Sequence, residues 1–288
     1  MTGLKWKIGQ VEISQITEID AGDVIQGAIK EATPENIKAI KWLYPHFADE
    51  HGKLKSLVQS FLIKSNGKNI LIDTCNGNDK IRSDLPQWGK LHTDFLKKLN
   101  AISADAKDID IVICTHFHCD HVGWNTKLEN GIWKPTFMNA KYIFPREEYD
   151  YWKQMPEKEL EDDKHAFNDS VAPIIKSGLA EFVDPDHKID NRVKLIPTPG
   201  HTPDHVSIMI ESDGQNAMIS GDFLHHPCQI ASPNWSMPYD SLPDKALDTR
   251  RKILSQIADA NILLIGSHFP NPVAGHVRRS KEGFVFEI

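Results

Sequence analysis

The hydrophobic pattern predicts strands in both halves of the chain. Residues 11–20 alternate apolar with polar side chains, as in a half-buried strand, and two strand-like runs at 57–64 and 69–74 are joined by a Ser-Asn-Gly-Lys turn. The continuous apolar run at 109–115 is typical of a strand covered on both faces. Further strand-like runs lie at 192–198, 205–212, 216–222 and 261–267.

Helical patterns fall between these runs. Residues 93–102 predict a short helix with Thr93 as its N-cap, and residues 241–260 predict an amphipathic helix. A helical region starts at 144 and continues, polar in character, as a helical insertion at about 150–180. The aromatic segment at about 30–55 has no clean period, so it is interpreted as a lid or loop, with packing into the core as an equal alternative.

Composition bounds the class of protein. The 288 residues are 40% hydrophobic, with no repeat or Pro/Gly-rich linker, which predicts one layered α/β domain over residues 1–288. A net charge of -7 gives no basic footprint for nucleic acid. No apolar run reaches the roughly 18–20 residues that span a bilayer. Four cysteines without C-x-x-C spacing make a disulfide framework unexpected, so we expect a cytoplasmic protein with no membrane partner.

Side chains that can bind metal follow four of the predicted strands. Rigid strand ends hold ligand geometry well, and ligand sites in layered α/β proteins form there. Five histidines and two aspartates can coordinate two divalent cations, zinc first, with iron, manganese or cobalt as alternatives. The seven residues are His116, His118, Asp120 and His121 after the first of these runs, then His201, Asp222 and His268.

Several neighbouring residues have two interpretations. Asp73, at the end of the 69–74 run, either orients a metal ligand or is an ordinary turn carboxylate. His205 is interpreted as a buried hydrogen-bonding residue, and Cys119 as a filler between ligands and not as a thiolate ligand. Three aromatic side chains either line an apolar pocket or belong to the core; they are Trp42, Phe117 and Trp124.

The ordered motifs resemble those of the metallo-β-lactamase superfamily. His-x-His-x-Asp-His at 116–121 is preceded by Ile-Leu-Ile-Asp-Thr at 70–74, and Thr-Pro-Gly-His, Ser-Gly-Asp and Gly-Ser-His end at His201, Asp222 and His268. The resemblance covers residues from about 60 to 270 and implies an αββα sandwich with metals at one edge between two sheets. It further implies that His116, His118 and His201 hold one metal, that Asp120, His121 and His268 hold the other, and that Asp222 bridges them.

Within the superfamily, segments 42–49, 72–80, 121–126 and 221–229 look like the branch of acyl-homoserine lactonases and methyl-parathion-type phosphotriesterases. Lactonases of this branch carry a tyrosine three residues after the bridging aspartate, where it helps to hold the substrate carbonyl. His225 stands at that position here. The resemblance therefore implies a lactonase-like hydrolase with an altered substrate-binding group, and possible homodimers, since relatives with a lid often dimerise.

A chemical mechanism follows from two cations that share a water. Such a pair lowers the pKa of the water toward about 7, so we predict attack of metal-activated hydroxide on a small-molecule lactone or related ester. Asp120 is predicted to carry the proton to the leaving oxygen, and His225 to bind the developing oxyanion or the substrate. The alternatives are a phosphotriesterase, a mononuclear iron persulfide dioxygenase, a nuclease, which the acidic charge disfavours, and a binding protein with an inactive site.

Overall fold

The computed structural model describes residues 3–102, 104–281 and 283–288. The strands within these ranges are β1 Lys5–Ile8, β2 Val11–Asp20, β3 Leu57–Ser65, β4 Lys68–Ile72, β5 Ile111–Ile113, β6 Thr126–Glu129, β7 Ile132–Pro135, β8 Lys141–Pro145, β9 Ala180–Val183, β10 Val193–Pro197, β11 Val206–Ser212, β12 Gln215–Ile219, β13 Ile262–Ile265, β14 Ala274–Ser280 and β15 Gly283–Glu287. The α-helices are α1 Gly22–Ala28, α2 Pro34–Ala39, α3 Phe95–Ala101, α4 Cys119–Val122, α5 Arg146–Trp152, α6 Glu161–Ala166, α7 Ala172–Lys176, α8 Cys228–Ala231 and α9 Pro243–Ile257.

Two large sheets form the centre of the molecule. The first has the order β1-β2-β3-β4-β5-β8-β9, and the second has the order β10-β11-β12-β13-β14-β15, while β6 and β7 form a separate hairpin. Predicted ligands follow β5, β12 and β13. Strand β5 runs parallel to its neighbour β4, and β12 runs parallel to its neighbour β13. Parallel strands end at the same edge of a sheet, so the segments that follow them start close together.

Successive side chains in the central strands alternate between two hydrophobic clusters. In β4, Ile70 and Ile72 join the cluster between the sheets, whereas Leu71 joins the cluster that includes the helices. In β12, Ile219 faces the other sheet and Met218 faces outward, into the same cluster as the buried residues of α9. This alternation gives helices outside both sheets, so the predicted αββα layering is confirmed.

The sequence placed some local features wrongly. Helix α3 begins after Asp94, and Thr93 does not cap it, because the Thr93 hydroxyl donates to the Glu18 carboxylate at 2.8 Å. Residues 144–145 end strand β8, so the helix starts at Arg146 and not at Phe144.

No helix in the described part of the chain is long and apolar enough to cross a membrane.

The aromatic segment at 30–55 is packed into the molecule. It contains α2 and a 3₁₀ turn at Lys41–Leu43, and both Leu43 and Phe47 are fully buried. Phe47 packs against Phe286 with ring centroids 5.7 Å apart. Core packing, the second of the two interpretations of this segment, therefore describes its buried side chains.

A buried charge cluster joins the loop after β4 to the hairpin and to the helical region. The Lys80 ammonium lies 3.6 Å from the ring centre of Trp133, donates to Thr126 Oγ1 at 2.6 Å and lies 3.3 Å from an Asp169 carboxylate oxygen. Arg82 pairs with the same carboxylate at 2.9 Å. One carboxylate thus serves two buried cations, and burial lowers the pKa of Lys80 to about 7.

We expect Lys80→Met to change how the free energy of unfolding depends on pH. The pKa of the Lys80 ammonium is near 7 in the folded chain and near its ordinary value in the unfolded chain. At a pH between these two pKa values, Lys80 is therefore protonated in the unfolded chain and mostly neutral in the folded chain. The contribution of Lys80 to stability therefore rises with pH above 7, by up to about 1.4 kcal/mol per unit. Lys80→Met keeps an apolar contact with Trp133 and removes this proton.

Urea unfolding of both proteins between pH 7 and pH 9 measures the effect. The stability of the wild type relative to Lys80→Met should increase across this range, and titrations common to both proteins cancel in the comparison. Parallel stability curves for the two proteins would show that Lys80 stays protonated when the chain is folded.

Candidate metal centre

The loop after β5 carries four of the predicted ligands and is held by two buried carboxylates. His116 and His118 flank Phe117, whose backbone N–H donates to Glu148 Oε1 at 3.1 Å. The next ligand pair begins after Cys119, whose N–H donates to Asp163 Oδ1 at 2.8 Å. Both carboxylates come from the helical region at 146–176, which therefore fixes the backbone between the ligands.

The other three predicted ligands follow β10, β12 and β13. Gly221, just before Asp222, has a φ of +55°, in the left-handed region that favours glycine. A Cβ there would lie 2.5 Å from His205 Nε2, and this nitrogen accepts a hydrogen bond from the Asp222 N–H at 2.8 Å. Only glycine allows this approach, so the Ser-Gly-Asp turn delivers Asp222 in a fixed orientation.

Asp222 lies at the centre of the predicted ligand set. Its Oδ2 atom is 3.4 Å from His121 Nε2, 3.5 Å from His201 Nε2 and 3.2 Å from His268 Nε2. Burial opposes ionisation, but His268 and His121 hold the pKa of Asp222 well below its usual range. An ionised carboxylate among imidazoles is the arrangement that a shared ligand of two cations requires.

The remaining ligands form two groups around this carboxylate. In each group the candidate ligand atoms lie within 4.8 Å of one another; the groups are His116, His118 and His201, and Asp120, His121 and His268. Nitrogen ligands about 2.0–2.1 Å from a tetrahedral zinc ion lie about 3.3 Å apart. The spacing from His118 Nδ1 to His201 Nε2 is 2.9 Å, and that from His121 Nε2 to His268 Nε2 is 3.2 Å.

Three buried polar atoms of the seven predicted ligands have no hydrogen-bond partner in the described structure. They are His116 Nε2, His118 Nε2 and Asp222 Oδ1. A buried polar atom without a partner costs free energy, so such atoms at a cluster of ligands indicate a ligand-binding role. The donor set of imidazoles and carboxylates therefore fits divalent cations.

In four of the five ligand histidines the second ring nitrogen contacts a neighbouring oxygen, which holds the ring in place. His121 Nδ1 lies 2.9 Å from Asp73 Oδ2, and His201 Nδ1 lies 2.9 Å from Asp240 Oδ1. His268 Nδ1 lies 2.9 Å from the Leu57 carbonyl oxygen, and His116 Nδ1 lies 3.0 Å from Thr115 Oγ1. Such contacts fix the tautomer and the direction of the ring. Asp73 thus stands where an orienting carboxylate is needed.

The electrostatic setting differs between the rings. Burial, with neighbouring histidines, lowers the pKa of His116 and His201 well below the ordinary value, so these rings are neutral and present a free lone pair. Burial also disfavours charge on His121, but the carboxylates of Asp222, Asp120 and Asp73 raise its pKa well above that value. The carboxylates there attract positive charge, which a proton or a metal cation can supply.

An apolar cavity opens onto the ligand cluster. Its apolar lining is supplied by α1, the loop after β4, the residue before α6 and the segment before α9, and consists of Val24, Ile25, Leu85, Trp88, Leu160, Met237 and Tyr239. The aromatic residues named from the sequence lie elsewhere. Phe117 packs on Phe144 in the core, Trp124 stacks on Phe95, and Trp42 packs against the core. The pocket interpretation of these three is therefore wrong.

His225 lies against the centre, whereas His205 and His226 have structural partners. His225 Nε2 is 3.2 Å from Asp222 Oδ2 in a geometry that makes no hydrogen bond, and both ring nitrogens are buried without a hydrogen-bond partner among the described residues. His205 bonds Thr198 and the Asp222 backbone. His226 bonds the Phe47 carbonyl and the Cys228 N–H.

The four cysteines are free and buried. Cys119 is absent from the metal-competent groups found in the described ranges, and burial raises the pKa of its thiol well above the ordinary value. A neutral thiol is a poor metal ligand, which agrees with the interpretation of Cys119 as a filler.

Three residues that position the metal ligands by hydrogen bonds were not predicted from the sequence. Asp240, Glu148 and Asp163 lie in polar segments whose composition resembles an exposed surface, and no motif marks them. The only available signal was their acidic character, which many surface residues share.

The two facing sheets, with histidine and aspartate clusters where strands end, define a metal-binding αββα protein. Comparison with family models agrees, since residues 55–268 match the model of the metallo-beta-lactamase superfamily. The chain belongs to that superfamily.

Curated relatives share part of the chain. An N-acyl homoserine lactonase of a Bacillus species is 26% identical over 121 residues, which are 42% of this chain and 40% of the relative. The N-acyl homoserine lactonase AiiA of Bacillus thuringiensis subsp. kurstaki is 24% identical over 181 residues, which are 58% of this chain and 64% of the relative. The chain thus spans less than two thirds of the length of these relatives.

Solved structures share the fold over nearly the full length. AidC, a dizinc quorum-quenching lactonase in complex with the product N-hexanoyl-L-homoserine, has a TM-score of 0.79 at 24% identity, covering 99% of this chain and 97% of its own. The hydrolase AbOPH of the beta lactamase superfamily has a TM-score of 0.81 at 22% identity, covering 100% and 97%.

Proposed function

We propose that this protein is a binuclear metal-dependent hydrolase that opens a lactone or cleaves a related small-molecule ester. The observation that carries the proposal is the position of Asp222, whose Oδ2 lies within 3.5 Å of imidazole nitrogens from both ligand groups. A carboxylate shared between two groups of ligands is suited to two cations held side by side. The lactonases among its relatives support an ester substrate.

Seven side chains would hold the two ions. His116, His118 and His201 would bind one, Asp120, His121 and His268 would bind the other, and Asp222 would be shared. Imidazole and carboxylate ligands favour zinc, and AidC is a dizinc protein. When bound, such ions supply Lewis acidity and make water a nucleophile near neutral pH.

Asp120 is suited to move a proton. Its carboxylate oxygens lie 3.7 Å from His121 Nε2 and 3.5 Å from His268 Nε2. The Asp120 side chain is 11% exposed, against 4% for Asp222, and it lines the cavity. A carboxylate that borders both the ligand cluster and the substrate space can carry a proton to the leaving alkoxide oxygen.

His225 is suited to bind the substrate oxygen that gains charge. It lines the cavity, is 2% exposed, and has two ring nitrogens free of hydrogen bonds to the described residues. An N–H donor aimed at the site of developing negative charge stabilises the transition state most where water is excluded. His225 would therefore take the place of the tyrosine that the lactonases of this branch carry.

The test is a substrate panel on metal-free, zinc-, manganese- and cobalt-loaded protein, with metal content measured for each sample. We expect about two zinc ions per chain and hydrolysis of lactones. His225→Phe should lower kcat about 100-fold at unchanged metal content, and His225→Tyr should retain more activity because it keeps a donor. Asp120→Asn should also lose activity.

Three results would contradict the proposal. Activity confined to phosphotriesters would assign a different substrate class, and one iron per chain with oxygen consumption would assign redox chemistry. Full activity in both His225→Phe and Asp120→Asn would remove the roles given to these residues. Rates are compared per bound metal, so that loss of metal is not mistaken for loss of catalysis.

A further inference from the structure

A buried arginine lies behind the segment that carries His225. Arg250 is on α9 and is 1% exposed. Its guanidinium donates to three backbone carbonyl oxygens, from Nε to Phe223 at 3.0 Å and from Nη1 to Pro233 at 3.1 Å and to Trp235 at 2.9 Å. These carbonyl groups mark the two ends of residues 223–235, here called the His225 segment. One side chain therefore fixes both ends of this segment.

A glutamine connects the middle of the His225 segment to the same anchor. The backbone N–H of His225 donates to Gln229 Oε1 at 2.9 Å, and Gln229 Nε2 donates to the Trp235 carbonyl oxygen at 3.1 Å. Arg250 Nη1 donates to that carbonyl oxygen as well. Gln229 is fully buried, so losing one of these bonds would leave a polar group without a partner inside the protein. The His225 backbone is thus tied to the guanidinium through one side chain and one carbonyl group.

The imidazole of His225 depends on this backbone for its position. Both ring nitrogens are buried without a hydrogen-bond partner among the described residues. The ring packs against His201, with centroids 4.7 Å apart, and lies parallel to the ring of His268 at 6.1 Å. A ring that no hydrogen bond orients takes its direction from the backbone and from packing. Movement of the His225 segment would therefore move the ring relative to the metal ligands.

The guanidinium also faces a carboxylate that orients a metal ligand. Arg250 Nη2 lies 3.7 Å from Asp240 Oδ2, and Asp240 Oδ1 lies 2.9 Å from His201 Nδ1. Arg250 therefore contributes a positive charge near Asp240 and, separately, three hydrogen bonds to the His225 segment. A lysine in its place can keep the charge, but its single nitrogen lacks the planar fork that reaches three separate carbonyl groups.

We propose that Arg250 is a positioning residue for His225, whose guanidinium holds the His225 segment so that the imidazole stays directed at the substrate cavity. This inference rests on the proposed function, in which His225 binds the substrate oxygen that gains charge. It adds a residue that lies outside the cavity lining. A group that stabilises a transition state must be held within about 0.5 Å of its productive position, and the residues behind it supply this precision.

Arg250→Lys tests the inference on the zinc-loaded protein. We expect kcat to fall about 10-fold for the lactone of the panel that the wild type hydrolyses fastest. KM should change less than about threefold, because His225 acts on charge that develops in the transition state. The zinc content should equal that of the wild type, since lysine keeps a positive charge near Asp240.

A double-mutant cycle shows whether the effect passes through His225. In a His225→Phe background, which has no imidazole to position, Arg250→Lys should change kcat by less than about twofold. Arg251→Lys is the matched control, because Arg251 is the next residue of α9, is exposed and donates to the Asn234 side chain at 2.7 Å. It should leave kcat unchanged in both backgrounds.

A second readout needs no turnover. In zinc-loaded protein with ¹⁵N-labelled histidine, the ring signals of His225 are those that His225→Phe lacks. Arg250→Lys should shift these signals, whereas the ring signals of His205, which is held by Thr198 and the Asp222 N–H, should stay where they are in the wild type. Arg251→Lys should leave both sets of signals unchanged.

The outcomes distinguish this inference from the proposed function. An equal fall of kcat in both backgrounds, or unchanged ring signals of His225, would overturn the positioning role. If Arg250→Lys does not fold, Gln229→Met breaks the same connection without altering the guanidinium. It should lower kcat only where His225 is present, and a wild-type rate would overturn the inference. If the wild type hydrolyses no lactone or ester, the proposed function fails, while the ring signals still decide whether Arg250 positions His225.

Discussion

Asp222→Ala is expected to leave at most one bound metal ion per chain and to lower kcat/KM by more than about 100-fold. The reason is the position of the carboxylate, whose Oδ2 atom lies within 3.5 Å of Nε2 of His121, His201 and His268. Without it, Asp120 is the one acidic side chain left among the seven predicted ligands, and the shared ligand between the two groups is lost. Metal analysis after dialysis, together with initial rates at saturating zinc, measures both effects.

The control for this substitution is Asp248→Ala, which removes an exposed carboxylate from α9. It should keep two ions and full activity. An Asp222→Ala protein that holds two ions and works within about tenfold of the wild type would show that the two sites do not share this ligand.

Asp73→Asn is expected to weaken metal binding about 10- to 100-fold and to lower the stability of the metal-free protein by about 2 kcal/mol. Asp73 accepts the Thr115 N–H at 2.7 Å and contacts the Thr115 hydroxyl at 3.0 Å and His121 Nδ1 at 2.9 Å. Thr115 in turn contacts His116, so one carboxylate orients a ring from each ligand group. Asparagine cannot satisfy all three neighbours.

The choice of asparagine separates charge from backbone geometry. Asp73 has a φ of +54°, a left-handed conformation that asparagine adopts readily and that alanine resists. Asp213→Asn provides the matched control, since Asp213 is exposed and has a φ of +51°. Zinc competition with a chelator and urea unfolding should leave the control unchanged. Unchanged zinc affinity in Asp73→Asn would limit Asp73 to a role in folding.

The strands that lead to the centre could be predicted because they are buried on both faces. Residues 109–115 contain β5, and residues 261–267 contain β13, each as an apolar run that ends just before a ligand. A strand that is buried on both faces has a continuous run of apolar residues, which can be recognised without knowing which strands lie beside it. Histidine and aspartate are uncommon at the ends of such apolar runs, so their order along the chain indicated the metal centre.

Strands next to the sheet edges and long-range contacts could not be predicted in the same way. Strand β14 contains Arg278 and Arg279, whose charges hide its pairing with β15. Strand β8 ends in Pro145, which resembles the first position of a helix. Asp240 contacts His201 across 39 positions of the chain, and such a contact depends on tertiary packing that no local pattern records.

The helical region at 146–176 contributes both to the position of the metal ligands and to the wall of the cavity. Glu148 and Asp163 anchor the backbone between the ligands, while Asp162 anchors the Ser83–Leu85 turn beside the cavity. Exchanging this region for one from another protein would therefore alter the substrate space and loosen the ligands together. The side chains of Val24 and Met237 border the cavity without contacting a metal ligand through the hydrogen bonds described above, unlike Asp240, which holds His201. Variation there offers a route to new substrates at constant metal affinity.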